Sequence, residues 1–260
     1  MKPHRLFIAI LFGLSPAILA AQEVSIGEPQ DKPVEERIIY NRENSFHIGL
    51  NTQGFGVGYK MGKVRSIDKV THWNFELSYL RSLKQLRLVN GSYFGTSSFV
   101  FGKLNDAAVL KGGYGIERRI YGKPYWGGVE LRWHYGIGAS LALLKPYYYT
   151  VIIASPTASG EYEQVTQYQT YEDHAQWIDI IGRAPFTYGL SEIKFRPGVY
   201  AKAGLVFDIG KTRTSLQAIE VGGDISYYPQ GLALMADNPK DYVIMTLYVA
   251  YNWGARFNQY

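Results

Sequence analysis

Cysteine is absent from all 260 residues. That excludes disulfide scaffolds, thiolate metal centres and cysteine nucleophiles. Histidine is scarce, with five residues, and charged side chains make up only 19% of the chain. The formal net charge of +5 falls to +3 once residues 1–21, which carry Lys2 and Arg5 and no acid, are set aside. So small an excess lacks the clustered basic surface that phosphate contacts require, and no nucleic-acid partner is expected. Long hydrophobic runs are also missing. Beyond residue 21 no stretch of about 18 apolar residues occurs, so no membrane-spanning helix is available. What the chain does hold in quantity is 22 Tyr and 28 Gly, a balance met in β architectures with aromatic bands.

Residues 1–21, MKPHRLFIAILFGLSPAILAA, read as a signal peptide. Lys2 and Arg5 supply the positive start, Leu6 to Leu14 the apolar stretch, and Pro16 a break before small residues near the cut. Residues 22–44 are polar and contain Pro29 and Pro33, which predicts a flexible periplasmic lead-in. An exported chain without a helical span is either a soluble domain or a closed β-barrel, the other structure that satisfies every backbone group in lipid.

Periodicity favours the barrel over 45–260. Trp73, Phe75, Leu77 and Tyr79 alternate with His72, Asn74, Glu76 and Ser78. Val129, Leu131, Trp133, Tyr135 and Ile137 alternate with Glu130, Arg132, His134, Gly136 and Gly138, and similar rows run through 195–208, 215–227 and 241–253. Several of these rows are longer than globular strands, which have about 5–6 residues. The polar face mixes glycine with both signs of charge, and aromatics gather near the strand ends. The expected fold is therefore all-β: an antiparallel transmembrane up-and-down barrel in the bacterial outer membrane. About ten strands are expected, at 45–52, 55–63, 70–80, 97–105, 108–118, 128–144, 146–153, 193–209, 214–227 and 241–254. Eight is the alternative, if 45–63 is one bulged strand and 146–153 belongs to a loop. Connections at 64–69, 106–107, 145–146 and 210–213 are expected on the periplasmic side. Those at 81–96, 119–127, 154–192 and 228–240 are expected outside, with a long extracellular loop at 154–192.

The inward rows place Lys60, Lys111, Arg119, Arg132, Arg196 and Lys202 against Glu76, Glu117, Glu130, Asp208, Glu220 and Asp224. Balanced signs in a narrow lumen predict a salt-bridge network that fills the barrel, because an unpaired buried charge is costly. His47, His72 and His134 fall on inward faces of separate strands with no close-spaced pair, so hydrogen-bonded histidines are expected, with no metal and no cofactor. At the outer rim the one catalytic candidate is Glu172-Asp173-His174 with Asp179, and no nucleophile motif accompanies it. In the long loop, His174, Trp177, Ile178 and Ile181 have the 0, +3, +4, +7 spacing of a short helix stopped by Gly182 and Pro185. Trp177, Ile178 and Ile181 are the expected partner-binding residues. A lid packed on the barrel's own mouth is the structural alternative for the same stripe.

The stretches KPYWGGVELRWHYGIGASLALLKPYYY and IIGRAPF–TYGLSEIKFRPGVYAKAGLVF resemble small, largely uncharacterised outer-membrane barrel proteins of Bacteroidota, from about residue 46 to the C-terminus. The resemblance implies an envelope location and a barrel fold, and carries over no active-site residue. That class includes accessory barrels of larger outer-membrane assembly and secretion machines. The function expected is thus a non-enzymatic barrel acting as an interaction or accessory subunit. Its expected partners are outer-membrane lipid and other outer-membrane or surface proteins. The alternatives are a small-solute pore and, behind it, a lipid or peptide hydrolase at the rim.

Overall fold

The computed structural model describes residues 40–123, 128–156, 162–173, 176–212, 214–236 and 238–258. The expected signal peptide at 1–21 and the lead-in as far as 39 lie outside these residues. The strands are β1 (Arg42–Asn51), β2 (Gly54–Ser66), β3 (Lys69–Leu80), β4 (Arg87–Leu88), β5 (Phe99–Val100), β6 (Asn105–Tyr121) and β7 (Glu130–Pro146). There follow β8 (Tyr148–Pro156), β9 (Tyr162–Thr170), β10 (Ile180–Arg183), β11 (Lys194–Asp208), β12 (Ser215–Leu232) and β13 (Asp241–Phe257).

Eight of them close a ring in the order β1-β13-β12-β11-β7-β6-β3-β2, every neighbour antiparallel. The first and last strands seal it, with Arg42 opposite Phe257 and Asn51 opposite Tyr248. Closure leaves no strand edge unpaired, which is what lets a sheet sit in hydrocarbon. The number of barrel strands is therefore eight, not ten. The segment 45–63 is two strands joined at residues 52–53, so the expected single bulged strand is not how eight is reached. The other half of that alternative holds, since 146–153 leaves the ring after Pro146, the last residue of β7, and the predicted strand at 97–105 lies outside it too, up to Asn105, where β6 begins.

Alternation in each strand separates the two faces. On β13, Val243, Met245, Leu247, Val249, Tyr251 and Trp253 are 38–69% exposed, while Ile244, Thr246, Tyr248, Ala250 and Asn252 are buried. The outward row from Trp253 to Val243 covers ten residue steps. That is ~34 Å along the strand and ~26 Å along the axis at a tilt of ~40°, close to the ~25 Å apolar band of membrane barrels. Phe46, Trp73, Trp133 and Trp253 mark one end of the band, and Phe55, Phe195 and Tyr227 the other, all of them exposed. An apolar exterior around a polar interior is the reverse of a water-soluble barrel.

Both described chain ends, the 67–68 turn, residues 122–123 and 128–129, and residues 209–212 and 214 share one end of the barrel. The opposite end carries the tight 52–53 turn and the described residues of the connections 81–104, 147–193 and 233–240. The connection near 119–127, expected on the long-loop side, thus sits at the turn end, while the 145–146 region sits at the long-loop end.

The lumen is built in two layers. Toward the long-loop end, Leu80, Ala107, Val109, Ala142, Leu144, Tyr228, Leu232, Leu234 and Ile244 form a buried apolar cluster across the bore. Beneath it the inward residues are charged.

Candidate functional site

Among the described residues, seven carboxylates occupy the charged layer: Glu43, Glu76, Glu117, Glu130, Asp208, Glu220 and Asp224. Six cations face them: Lys60, Lys111, Lys123, Arg132, Lys202 and Arg256. Arg132 forks to three acids, donating from Nε to Glu130 Oε1 at 2.7 Å and from Nη1 to Glu117 at 3.3 Å and Glu43 at 3.5 Å. Lys60 Nζ donates to Glu220 Oε2 at 2.5 Å and lies 3.6 Å from Glu117 Oε1. Lys202 bridges Glu76 and Glu220, both at 3.4 Å, with Nζ 4.1 Å from the centre of the Tyr248 ring. Lys111 pairs with Asp224, which also accepts from Thr246 Oγ1. Arg256 joins Glu43 at 3.2 Å to Asp208 at 2.5 Å. Each charge is desolvated by eight walls of sheet, and the bridging geometry is what keeps such burial tolerable.

Ten of the residues expected in this network lie in it: Lys60, Glu76, Lys111, Glu117, Glu130, Arg132, Lys202, Asp208, Glu220 and Asp224. Arg119 does not. It reaches the exposed Asp68 of the 67–68 turn at 2.6 Å. Arg196 does not either, and donates to Gln230 near the long-loop rim. Both sit where the inward row leaves the bore. Glu43, Lys123 and Arg256 belong to the network but were not expected in it. Glu43 and Arg256 share the parity of Ser45 and Asn252, so carrying the alternation outward along β1 and β13 would have found them.

The three lumen histidines are buried at 2–3% exposure. His72 and His134 come together across β6, with ring centroids 4.9 Å apart and planes 23° apart. Both look toward Glu117 Oε1, from Nδ1 of His134 at 3.7 Å and Nδ1 of His72 at 4.0 Å. His47 stands apart, with Nε2 3.7 Å from Glu76. Glycines make the room: a Cβ on Gly115 would lie 2.5 Å from His72 Nε2, and one on Gly58 would collide with the His47 ring. The expected hydrogen bonds reduce to these long contacts. Both nitrogens of His47 and of His72, and Nδ1 of His134, find no hydrogen-bond partner among the described residues.

The second region of interest is the cap over the long-loop end. Strands β10, β8 and β9 pair in that order into a separate sheet, and β4 and β5 form a small ribbon beside it. Phe99, Tyr147, Tyr149, Val151 and Ile180 make a buried core between ribbon and sheet. Asn90, fully buried, donates from Nδ2 to the carbonyls of Ile178 (2.6 Å) and Ile180 (3.1 Å). Tyr149 Oη donates to the Val100 carbonyl at 2.8 Å and accepts from Lys103 N–H at 2.9 Å. Burial holds this phenol above its ordinary range, and it holds the Lys103 ammonium below its own, against the pull of Asp106 2.6 Å away.

Over the described residues 176–181 the expected helix does not form. Trp177–Asp179 is a single 3₁₀ turn that leads into β10, and Ile180, outside the predicted stripe, is the residue that packs into the core. Trp177 and Ile178 are exposed, at 49% and 51%, whereas Ile181 is half-buried and its carbonyl accepts from Ser97 N–H at 2.9 Å. At the rim candidate, His174 lies outside the described residues, Glu172 is exposed, and Asp173 Oδ2 accepts from the Thr170 hydroxyl at 2.6 Å, closing the turn after β9.

No protein-family model matches the chain, and no curated protein matches it. Among solved structures it is similar to Neisserial surface protein A, at 9% identity over 83% of this chain and 96% of that one, with a TM-score of 0.40. It is also similar to Ail, the attachment invasion locus protein of Yersinia pestis, at 12% identity over 83% and 97% of the two chains and a TM-score of 0.37. The N-terminal β-barrel domain of Pseudomonas aeruginosa OprF follows, at 11% identity over 82% and 99%, with a TM-score of 0.35. Likeness at this level carries nothing about activity or partners.

Proposed function

We propose that this chain is a non-enzymatic barrel of the bacterial outer membrane whose bore is closed and whose working surface is the cap, acting as an interaction or accessory subunit of an outer-membrane assembly or secretion machine. The observation that carries the reading is the cap itself. A barrel needing only to close its strands would use short connections, yet β4 and β5 form a ribbon and β8, β9 and β10 a second sheet, with a buried core of their own. Long connections with internal structure are functional more often than they are linkers. On that rigid support Trp177 and Ile178 stay exposed, and Val89, next to the buried Asn90, is exposed as well. Aromatic and aliphatic groups held on a fixed backbone bind a partner at little entropic cost. The resemblance of 46–260 to Bacteroidota barrels, and the secretory character of residues 1–21, support the same placement.

A solute pore is the weaker reading. The buried apolar cluster and the salt-bridged layer beneath it fill the bore, and the two cavities among the lumen charges measure only about 10 and 20 Å³. Either has room for about one water molecule.

The test is comparative purification from native membranes. Trp177→Ser combined with Ile178→Ser is expected to remove co-purifying outer-membrane or surface proteins that the wild type retains, while the barrel keeps its heat-modifiable mobility. If the double variant keeps them all, or the wild type carries none, the cap is not a docking face.

A further inference from the structure

The lumen histidines have no place in a docking function, and a salt-bridge network does not need them. His72 on β3, Glu117 on β6 and His134 on β7 stand on three consecutive strands of the ring. Glu117 is directly opposite His134, and His72 is opposite Gly115, whose missing side chain lets the imidazole lie over β6 toward its partner. One ligand atom from each of the three lies within 4.8 Å of the others. A tetrahedral ion with bonds of about 2.0–2.2 Å holds its ligand atoms about 3.3–3.6 Å apart. The measured 3.7 and 4.0 Å from Glu117 Oε1 to the two Nδ1 atoms are within a few tenths of an ångström of that spacing.

Second, these nitrogens are otherwise idle. His72 and His134 are 3% and 2% exposed, and both Nδ1 atoms lack a hydrogen-bond partner among the described residues. Buried polar groups left in that condition are rare, and each calls for a cause. Third, the far nitrogen of His134 has a carboxylate beside it: Glu220 Oε1 lies 4.0 Å from Nε2, beyond hydrogen-bond distance and close enough to accept the N–H of a metal-bound imidazole after a shift of about 1 Å. Finally, seven carboxylates against six cations leave the described network one negative charge in excess when the histidines are neutral.

We propose that His72, Glu117 and His134 form a site for a divalent transition ion of the zinc class, cross-linking β3, β6 and β7 inside the bore. Two imidazoles and one carboxylate suit zinc, cobalt or nickel; calcium and magnesium require an oxygen shell. Lys60 and Arg132 keep their other partners, Glu220 for the first and Glu43 and Glu130 for the second, when Glu117 turns to the ion.

The probe is cobalt, whose tetrahedral complexes absorb in the visible, together with zinc. Both are added to the chelator-treated barrel in detergent, and also during its refolding, because the closed bore slows access. One ion per chain is expected, with visible cobalt bands that zinc displaces. Zinc at a hundredfold over its dissociation constant should raise the heat-modification midpoint by about 5–10 °C. His72→Ala/His134→Ala should lose the bands and the shift, and His47→Ala, which removes the lumen histidine outside the cluster, should keep both. Absence of the bands in the wild type under both regimes overturns the site, as does their survival in the double variant. Should that variant fail to fold, His72→Asn and His134→Asn singly decide it: bands retained at full strength in either one overturn the assignment.

Discussion

Arg132 holds more of the lumen together than any other single cation, and removing it is the sharpest perturbation of the charged layer. The side chain is 8% exposed and donates to Glu130, Glu117 and Glu43. After Arg132→Ala, Glu43 keeps Arg256 at 3.2 Å and Glu117 keeps Lys60 at 3.6 Å. Glu130 loses its 2.7 Å partner. Seven carboxylates then face five cations. Leaving a buried charge uncompensated costs ~3–5 kcal/mol, and the expected loss lies in that range. Arg132→Lys should recover only part of it, since an ammonium cannot fork to three carboxylates as a guanidinium does. Glu220→Gln is the matched comparison. It keeps the volume and the acceptor for Tyr248 Oη at 2.7 Å, and it brings the two signs level. Its cost should be about 1–2 kcal/mol, the net worth of a charge-assisted hydrogen bond weakened to a neutral one. Urea unfolding in lipid vesicles, followed by tryptophan fluorescence, reads both as midpoint shifts at constant slope. An unchanged midpoint for Arg132→Ala would refute the buried network, and a larger loss for Glu220→Gln than for Arg132→Ala would refute the charge count behind it.

Two further outcomes follow from the same geometry. In a planar bilayer the purified barrel should show no steady single-channel steps at neutral pH, because the apolar cluster around Tyr228 and Leu232 closes the bore above the charged layer; large stable steps would restore the pore. Above the ordinary phenol value of 10.0 the cap should loosen. Burial raises the Tyr149 pKa in the folded chain, so between the unfolded and folded values the folded state holds the extra proton; the contribution is complete below the unfolded value and is lost as pH climbs through the folded one. Tyrosinate absorbance against pH should show this residue titrating late and together with exposure of the cap to protease, and Tyr149→Phe should reduce the late absorbance change and uncouple what is left of it from protease exposure.

The faces of the barrel were legible in the sequence because a barrel wall is one sheet thick. Each strand has lipid on one side and the bore on the other, so period-two alternation reports both environments directly. That is why Trp73 and His72, or Trp133 and Arg132, could be assigned to opposite faces without a structure. Alternation does not say which sheet a strand joins. Tyr149 and Val151 alternate with Tyr148 and Thr150 as a barrel strand would, yet they are buried against Phe99 and Ile180 in the cap. The stripe at 174–181 failed for a related reason. Ile178, Ile180 and Gly182 follow a period of two as well as Trp177, Ile178 and Ile181 follow a helical one, and pairing of Ile180 with Val151 decides for the strand. Height along the axis was the other missing quantity. Parity places His72, Glu117 and His134 in the lumen, but only the register of β3 and β7 on β6 brings them to one level.

The two surplus strands in the sequence reading had opposite consequences along the chain. Each strand reverses the direction of travel, so counting 97–105 as a crossing moved every following connection to the wrong end. Residues 119–127 were sent outside, and 145–146 inside, for that reason. Counting 146–153 as a second crossing reversed the direction again. From residue 154 onward the two readings agree: 154–192 and 228–240 fall at the long-loop end, and 210–213 at the turn end. The errors cancelled because both surplus segments belong to the cap, an out-and-back excursion that starts and finishes at the same rim of the barrel. The end to which Trp177 and Ile178 are assigned therefore does not depend on whether the ring has eight strands or ten. It depends only on the parity of crossings before residue 154, and counting any even number of cap segments as crossings preserves that parity.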